Sequence, residues 1–131
     1  MINMLKEQDS QKVLFIGDDR FILNNLICEL LKEENISVIF APTWDYGKKC
    51  MKNSKLKLVI IDSNLISKLS PSAVMPFIKK SKALFFIIDV LPDTWIYKRA
   101  DRLKSSSIVI YKRPLNIDKL IRSAKKVWKR K

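Results

Sequence analysis

The strongest constraint on the fold is an alternation of two hydrophobic patterns along the chain. Short, continuous apolar runs, typical of strands buried on both faces, occur at residues 12–16, 36–40, 56–61, 83–88 and 107–111. Between them lie segments with apolar side chains at helical spacing, the first of which has Ile22, Leu23, Leu26, Ile27, Leu30 and Leu31. Strands that alternate with helices predict a parallel sheet covered by helices on both faces.

Capping and breaking residues indicate where the later helices begin. Thr43 is placed to cap a short polar helix that reaches about residue 52. Pro71 opens the next helix after Ser70, and Pro76 within it predicts a kink or an early end. The fourth helix is expected to open at Pro92-Asp93 and the fifth to be capped by Asn116. Their apolar positions are Trp95, Ile96, Ala100 and Leu103, and then Leu120, Ile121, Ala124 and Trp128.

The 131 residues suit one α/β domain. Five strand–helix units in this length predict a flavodoxin-like, doubly wound (βα)5 domain, with a five-stranded parallel sheet in three α/β/α layers. We assign residues 11–131 to this domain and residues 1–10 to a polar N-terminal extension. In such sheets ligands bind beyond the carboxyl ends of the strands, at the switch point between the first and third strands.

Acidic side chains follow both of those strands. Asp18 and Asp19 come after the first strand, and Asp62 ends the third. Three carboxylates at one edge suit Mg²⁺, and one of them could act as a nucleophile toward phosphorus. Neither chemistry needs histidine, which the chain lacks. The structural alternative is that Asp18 caps the first helix and Asp62 is a loop residue, but acids at two strand ends favour a site.

Three segments resemble the response-regulator receiver domains. Residues 12–19, Lys-Val-Leu-Phe-Ile-Gly-Asp-Asp, are similar to the receiver's first strand and its acidic pair. Residues 58–64, Leu-Val-Ile-Ile-Asp-Ser-Asn, are similar to its third strand with the phosphoacceptor aspartate. Residues 111–115, Tyr-Lys-Arg-Pro-Leu, look like the end of its fifth strand, where Lys-Pro is usual. The resemblance spans roughly residues 11–129.

The resemblance implies a regulatory switch rather than an enzyme. Asp62 would accept a phosphoryl group from a sensor histidine kinase or phosphotransfer protein, and the new charge would shift a bistable surface. Mg²⁺ would be held by Asp62, Asp18 and the backbone carbonyl of Asn64. Asp19 stands one place late and would join the metal if its loop bends inward.

Several positions depart from the receiver pattern. Gly17 replaces the first member of the acidic pair. The strand-four hydroxyl position falls on Ile88, or on Asp89 if the register slips by one, and Asp89 would repel a phosphoryl group. Arg113 stands before Pro114 in place of lysine, whereas Lys112 should point to the opposite side because strand side chains alternate.

Two interpretations therefore stay open. In the first, the domain is phosphorylated at Asp62, with Asp18 and either Arg113 or Lys112 assisting. In the second, it is an atypical receiver whose surface binds a partner independently of phosphate. We lean slightly to the second.

Basic residues dominate the chain, with 26 Lys and Arg against 13 Asp and Glu. Residues 98–131 contain 13 of the basic residues and two acidic ones, Asp101 and Asp118. This charge coincides with the fourth helix, fifth strand and fifth helix, which form the usual partner or dimer face of receivers. It favours an acidic protein partner or nucleic acid, or it is simply a solvated lysine-rich face.

The remaining expectations are general. A flavin or nucleotide module of the same fold is disfavoured, because no glycine-rich phosphate loop follows the first strand. Two cysteines without motif spacing and no secretory or membrane-spanning segment suggest a cytoplasmic protein. We expect a monomer or a weak dimer, either a stand-alone receiver or part of a longer regulator.

Overall fold

The computed structural model describes residues 12–53, 55–103 and 107–129. The five strands are β1 (Lys12–Ile16), β2 (Val38–Ala41), β3 (Leu56–Asp62), β4 (Leu84–Val90) and β5 (Ile108–Lys112). The longer helices are α1 (Ile22–Glu33), α2 (Trp44–Asn53), α4 (Pro71–Lys80) and α7 (Ile117–Lys129). Three helices of four residues are α3 (Ser63–Ile66), α5 (Trp95–Lys98) and α6 (Ala100–Leu103). The predicted extension, residues 1–10, lies outside the described residues.

All neighbouring strands are parallel, and their order is β2-β1-β3-β4-β5. This confirms the predicted flavodoxin-like α/β fold. The switch point lies between β1 and β3, since the chain moves from β1 to one side for β2 and to the other for β3. The site is therefore expected at the carboxyl ends of these strands.

The sheet separates two apolar clusters. One cluster lies under α2, α4, α5 and α6 and includes Leu14, Ile61, Val74, Ile96 and Leu103. The other lies under α1 and α7 and includes Phe15, Ile27, Leu58, Leu120 and Val127. Burial on both faces explains why the strands are continuous apolar runs. No helix in the described ranges is long and apolar enough to cross a membrane.

Local capping agrees with the sequence at two helices. The Thr43 hydroxyl accepts a hydrogen bond from the Tyr46 amide (3.1 Å), and the Asn116 side chain accepts one from the Lys119 amide (3.0 Å). Pro76 does not shorten α4, which continues to Lys80. The early end expected at Pro76 was therefore wrong, and Pro76 lies on the exposed side of the helix.

Two further expectations were wrong. The predicted fourth helix is two short helices, and it begins after Thr94, whose hydroxyl accepts a hydrogen bond from the Tyr97 amide, rather than at Pro92-Asp93. The predicted apolar stripe of α1 is also displaced. Its fully buried side chains are Asn24, Ile27, Cys28 and Leu31, whereas Ile22 is 83% exposed. Asp18 does not cap α1, since the N-cap residue is Phe21 and has no side-chain capping bond.

Candidate functional site

A cavity of about 390 Å³ lies at the carboxyl edge of the sheet. It opens beside the ends of β3 and β4 and the start of α1, on the side where the switch point predicts a site. Its lining residues are Arg20, Phe21, Ile22, Leu23, Asn24, Asp62, Asn64, Asp89 and Arg113. Of the predicted site residues, the structure thus brings Asp62, Asn64 and Arg113 together.

Asp62 is the last residue of β3 and is 2% exposed. Its Oδ1 accepts hydrogen bonds from the backbone amide and the side-chain amide of Asn64, both at 3.0 Å. Its Oδ2 accepts one from the side-chain amide of Asn24 at 2.9 Å. The carboxylate is also the N-cap of α3, so both oxygens have neutral amide donors inside the protein.

Asn24 is the site residue that the sequence analysis missed. It is 1% exposed, and its Nδ2 also donates to the backbone carbonyl of Asp18 (3.0 Å). This one amide therefore ties α1 to the ends of both β1 and β3. A signal was present, because Asn24 precedes Ile27, Cys28 and Leu31 at spacings of three, four and seven residues and so belongs to the buried stripe of α1.

Gly17 makes room for the Asn24 amide. A Cβ atom at position 17 would lie 2.8 Å from Asn24 Nδ2, 2.9 Å from Phe15 Cε1 and 3.1 Å from Asp62 Cβ. The first two separations are shorter than real Cβ atoms show, and the third is tighter than most. The position where receivers carry an acidic residue is thus filled from α1 by an amide donor.

Asp89 and Arg113 form an ion pair across the cavity. Arg113 Nε donates to Asp89 Oδ1 at 2.9 Å, and Arg113 Nη2 donates to Asp89 Oδ2 at 2.7 Å. The hydrogen bond to Asp89 is the main cause that raises the pKa of Arg113. The Asn64 amide reaches Asp89 Oδ2 at 3.3 Å and thereby connects this pair to Asp62. The carboxylate side chain of Asp89 is 10% exposed.

A bulge in β4 directs Asp89 into the cavity. Ile87 pairs with Ile110 and Val90 pairs with Lys112, so β4 contains one more residue than β5 over this stretch. Asp89 has a φ of 58°, in the left-handed region that aspartate tolerates better than most residues. Its carbonyl accepts a hydrogen bond from the Ser63 hydroxyl (2.9 Å). Ile88 is fully buried in the core, so Asp89 is the strand-four residue at the site.

Asp18 and Asp19 lie outside the cavity lining. Asp18 accepts hydrogen bonds from the Arg20 backbone amide (2.9 Å) and from the Arg20 guanidinium (2.6–3.2 Å). These bonds lower the pKa of Asp18 to about 2. Asp19 is exposed, and its backbone carbonyl accepts a bond from Asn25. The bend that would bring Asp19 inward is not present.

Lys112 lies away from the cavity. Its Nζ is 4.7 Å from the centre of the Tyr97 ring, where the cation contacts the aromatic face. Lys112 and Arg113 therefore face different surroundings, and the structure places Arg113 rather than Lys112 beside Asp62 and Asp89.

In this arrangement the described residues are not gathered into a Mg²⁺ site. Both Asp62 oxygens accept hydrogen bonds from amides, Asp18 is paired with Arg20, and the Asn64 carbonyl accepts one from the Ser67 hydroxyl. Within the described ranges, no group of three or more Asp, Glu, His or Cys residues is placed to hold a metal ion. The predicted ligand set of Asp18, Asp19, Asp62 and Asn64 is not assembled here.

Comparisons with known proteins support the fold. No protein-family model matches the chain, and no curated protein matches it in sequence. A response regulator receiver domain protein from Bacillus halodurans superposes with a TM-score of 0.67 at 17% identity, over 92% of this chain and 98% of that one. A CheY-like receiver domain protein from Methanospirillum hungatei gives 0.57 at 16% identity, over 91% and 94%. The chain has the fold of response-regulator receiver domains.

Proposed function

We propose that this domain is a signalling receiver whose partner-binding surface is set by internal contacts rather than by phosphorylation of Asp62. The observation that carries the proposal is the Asp89–Arg113 ion pair. The guanidinium that could bind phosphoryl oxygens already has a carboxylate partner, held in two hydrogen bonds.

The charges around Asp62 support the same conclusion. Asp89 brings a second negative charge to the mouth of the site, where it would repel an incoming phosphoryl group. Phosphorylation on Oδ2 of Asp62 would also disturb the hydrogen bond that this oxygen accepts from the Asn24 amide. Asp89 takes the place of the phosphoryl group as the counter-ion of Arg113, so the ion pair needs no kinase to form.

The proposed partner surface consists of α5, β5 and α7. Its exposed cations are Lys98, Lys112, Lys119, Arg122, Lys126 and Lys129. Because β5 is an edge strand and this surface is strongly basic, it suits an acidic protein partner.

Nucleic acid is the less favoured partner. Trp128, the aromatic side chain closest to the basic C-terminus, packs against the apolar cluster under α1 and α7. Lys57 Nζ lies 5.4 Å from the centre of the Trp128 ring and donates a hydrogen bond to the backbone carbonyl of Trp128. The ring is thus committed to the fold instead of being free to stack on a base.

The proposal is tested by chemical phosphorylation. Wild-type protein incubated with acetyl phosphate and Mg²⁺ is expected to show no phosphoryl adduct by intact mass. Asp89→Asn removes the carboxylate that pairs with Arg113 and keeps a residue type that tolerates the φ of 58°, so it is expected to acquire an adduct that Asp62→Asn removes. Asp93→Asn, at an exposed aspartate after β4, is the matched control and should behave as wild type.

A wild-type protein that acquires a phosphoryl adduct at Asp62 as fast as the Asp89→Asn variant does would overturn the proposal. That result would instead favour the first interpretation, in which Asp62 is phosphorylated with Asp18 and either Arg113 or Lys112 assisting.

A further inference from the structure

Another cavity lies at the opposite edge of the sheet from Asp62. Its volume is about 520 Å³, within the range of small-molecule sites. It is bounded by the carboxyl-terminal half of α4, by α6 and by the start of β5. No part of it coincides with the Asp62 cavity, so it has to be explained separately.

The floor of this cavity is apolar. It is formed by Met75, Ile78, Leu103 and Ile108. Three of these side chains are at least nine-tenths buried and belong to the core cluster under α4 and α6, so the floor is built into the fold. A floor of this kind binds an apolar or aromatic group by removing it from water.

The rim of the cavity is cationic. Lys79 from α4, Arg99 from the turn before α6 and Arg102 from α6 line it. In the described part of the chain none of the three forms an ion pair, although Lys48, Lys125 and Arg113 elsewhere do. Asp101 is not among the lining residues. Three positive charges therefore line the cavity, and among the described lining residues no carboxylate compensates them.

We propose that this cavity binds a small amphipathic anion. The ligand would carry one carboxylate, phosphate or sulfonate group on an apolar or aromatic body. The anionic group would lie among Lys79, Arg99 and Arg102, and the body would cover the apolar floor. Arginine suits this role because its planar fork binds two oxygens at once. The site needs neither the Asp62 cavity nor any phosphorylation.

Three probes separate the contributions of charge and apolar contact. The first is 8-anilinonaphthalene-1-sulfonate, which has an aromatic body and a sulfonate. The second is N-phenyl-1-naphthylamine, which has the same body without the anion, and the third is inorganic phosphate. Folded wild-type protein is expected to bind the sulfonate probe saturably at one site, and each of the other two at least about tenfold more weakly.

Matched variants locate the site. Arg99→Gln/Arg102→Gln is expected to weaken binding of the sulfonate probe about fivefold or more. Lys80→Gln/Lys98→Gln removes two exposed charges adjacent in sequence to rim residues but outside the lining, and should change it less than about twofold. Met75→Trp is expected to abolish binding by filling the cavity, and its Tm shows whether it is folded.

Three results would each overturn the proposal. They are absence of saturable binding to the wild type, equal binding of the uncharged probe, and equal weakening by the two double variants. If Met75→Trp does not fold, the comparison of the two double charge variants tests the location of the site by itself. Asp62→Asn and Asp89→Asn should leave probe binding unchanged, so failure here and failure of the proposed function are distinguishable.

Discussion

Asn24 and Gly17 interlock at the centre of the site. The amide of Asn24 occupies the space that a side chain at position 17 would need, and it holds the Asp62 carboxylate. The two residues are therefore energetically coupled, although they lie in different elements.

A double-mutant cycle measures this coupling. Gly17→Ala is expected to lower the free energy of unfolding by about 1–3 kcal/mol through overpacking. In an Asn24→Ala background the same change should cost at least about 1 kcal/mol less, because the shortest contact is gone. Gly47→Ala is the control. Its Cβ would meet Ile16 at 2.6 Å rather than Asn24, so its cost should be the same with and without Asn24→Ala. If urea denaturation shows that the changes in the free energy of unfolding from Gly17→Ala and Asn24→Ala are additive, the interlock is contradicted.

The Asp18–Arg20 pair controls the charge state of Asp18. In the wild type the pKa of Asp18 is lowered from 3.8 to about 2, chiefly by the Arg20 hydrogen bonds. Because the folded pKa is lowered, the pair stabilises the folded state above about pH 4. That contribution is lost as the pH falls toward about 2.

Carboxyl-carbon NMR titration tests this account. Arg20→Gln is expected to move the pKa of Asp18 upward, toward 3.8. Lys68→Gln removes a weaker, purely coulombic influence and should move it much less. Equal shifts in the two variants would show that general charge, and not the Arg20 hydrogen bonds, lowers this pKa.

At the scale of elements, α1 ends in a Schellman motif. The Asn35 amide donates to the Lys32 carbonyl (2.9 Å) and the Ile36 amide donates to the Leu31 carbonyl (3.1 Å). Asn35 has a φ of 62°, and Ile36 packs with Leu31 in the core. This termination explains why β2 begins at Val38 and not at Ile36 as the apolar run suggested.

The motif predicts opposite effects of two substitutions. Asn35→Gly should raise the free energy of unfolding by about 0.5 kcal/mol, and Asn35→Ala should lower it by about 1 kcal/mol, because only glycine is unstrained at this φ. Chemical denaturation measures both. Ser81→Gly, at a helix end with a φ of −79°, is the control and should not stabilise. Destabilisation by Asn35→Gly would count against the assignment.

The sequence predicted the strands well because burial on both faces leaves an apolar run that periodicity detects. The sequence also placed Asp62 at the end of β3, because the apolar run stops at this residue. Asp89 was ambiguous because a bulge breaks the alternation that assigns side chains to faces. Asn24 was missed because α1 has apolar residues on more than one side, Ile22 among them. The pairing of Arg113 with Asp89 is a tertiary contact that no local pattern encodes.

At the scale of the whole molecule, net charge opposes compactness. The chain carries a formal charge of +13, and most of its described ion pairs, such as Lys32–Glu29 and Lys48–Asp45, lie at the surface. Surface pairs contribute little, whereas repulsion among unpaired lysines acts over the entire domain.

Salt should therefore stabilise this protein. Raising NaCl from about 20 to about 200 mM is expected to increase Tm by roughly 3–6 °C, because screening weakens the net repulsion more than it weakens the ion pairs. Thermal unfolding followed by circular dichroism measures the effect. Sodium sulfate at equal ionic strength should raise Tm further if anions also bind the basic surfaces. A fall in Tm with NaCl would mean that the ion pairs dominate.

The interlock of Gly17 with Asn24 also limits how this site can evolve. A lineage that acquired an acidic residue at position 17 would first pass through a sterically crowded protein, unless Asn24 had already been replaced. Replacing Asn24 first would leave Asp62 without one of its buried donors. Each single step lowers fitness if stability is limiting, so the two positions are expected to change together among descendants of this sequence.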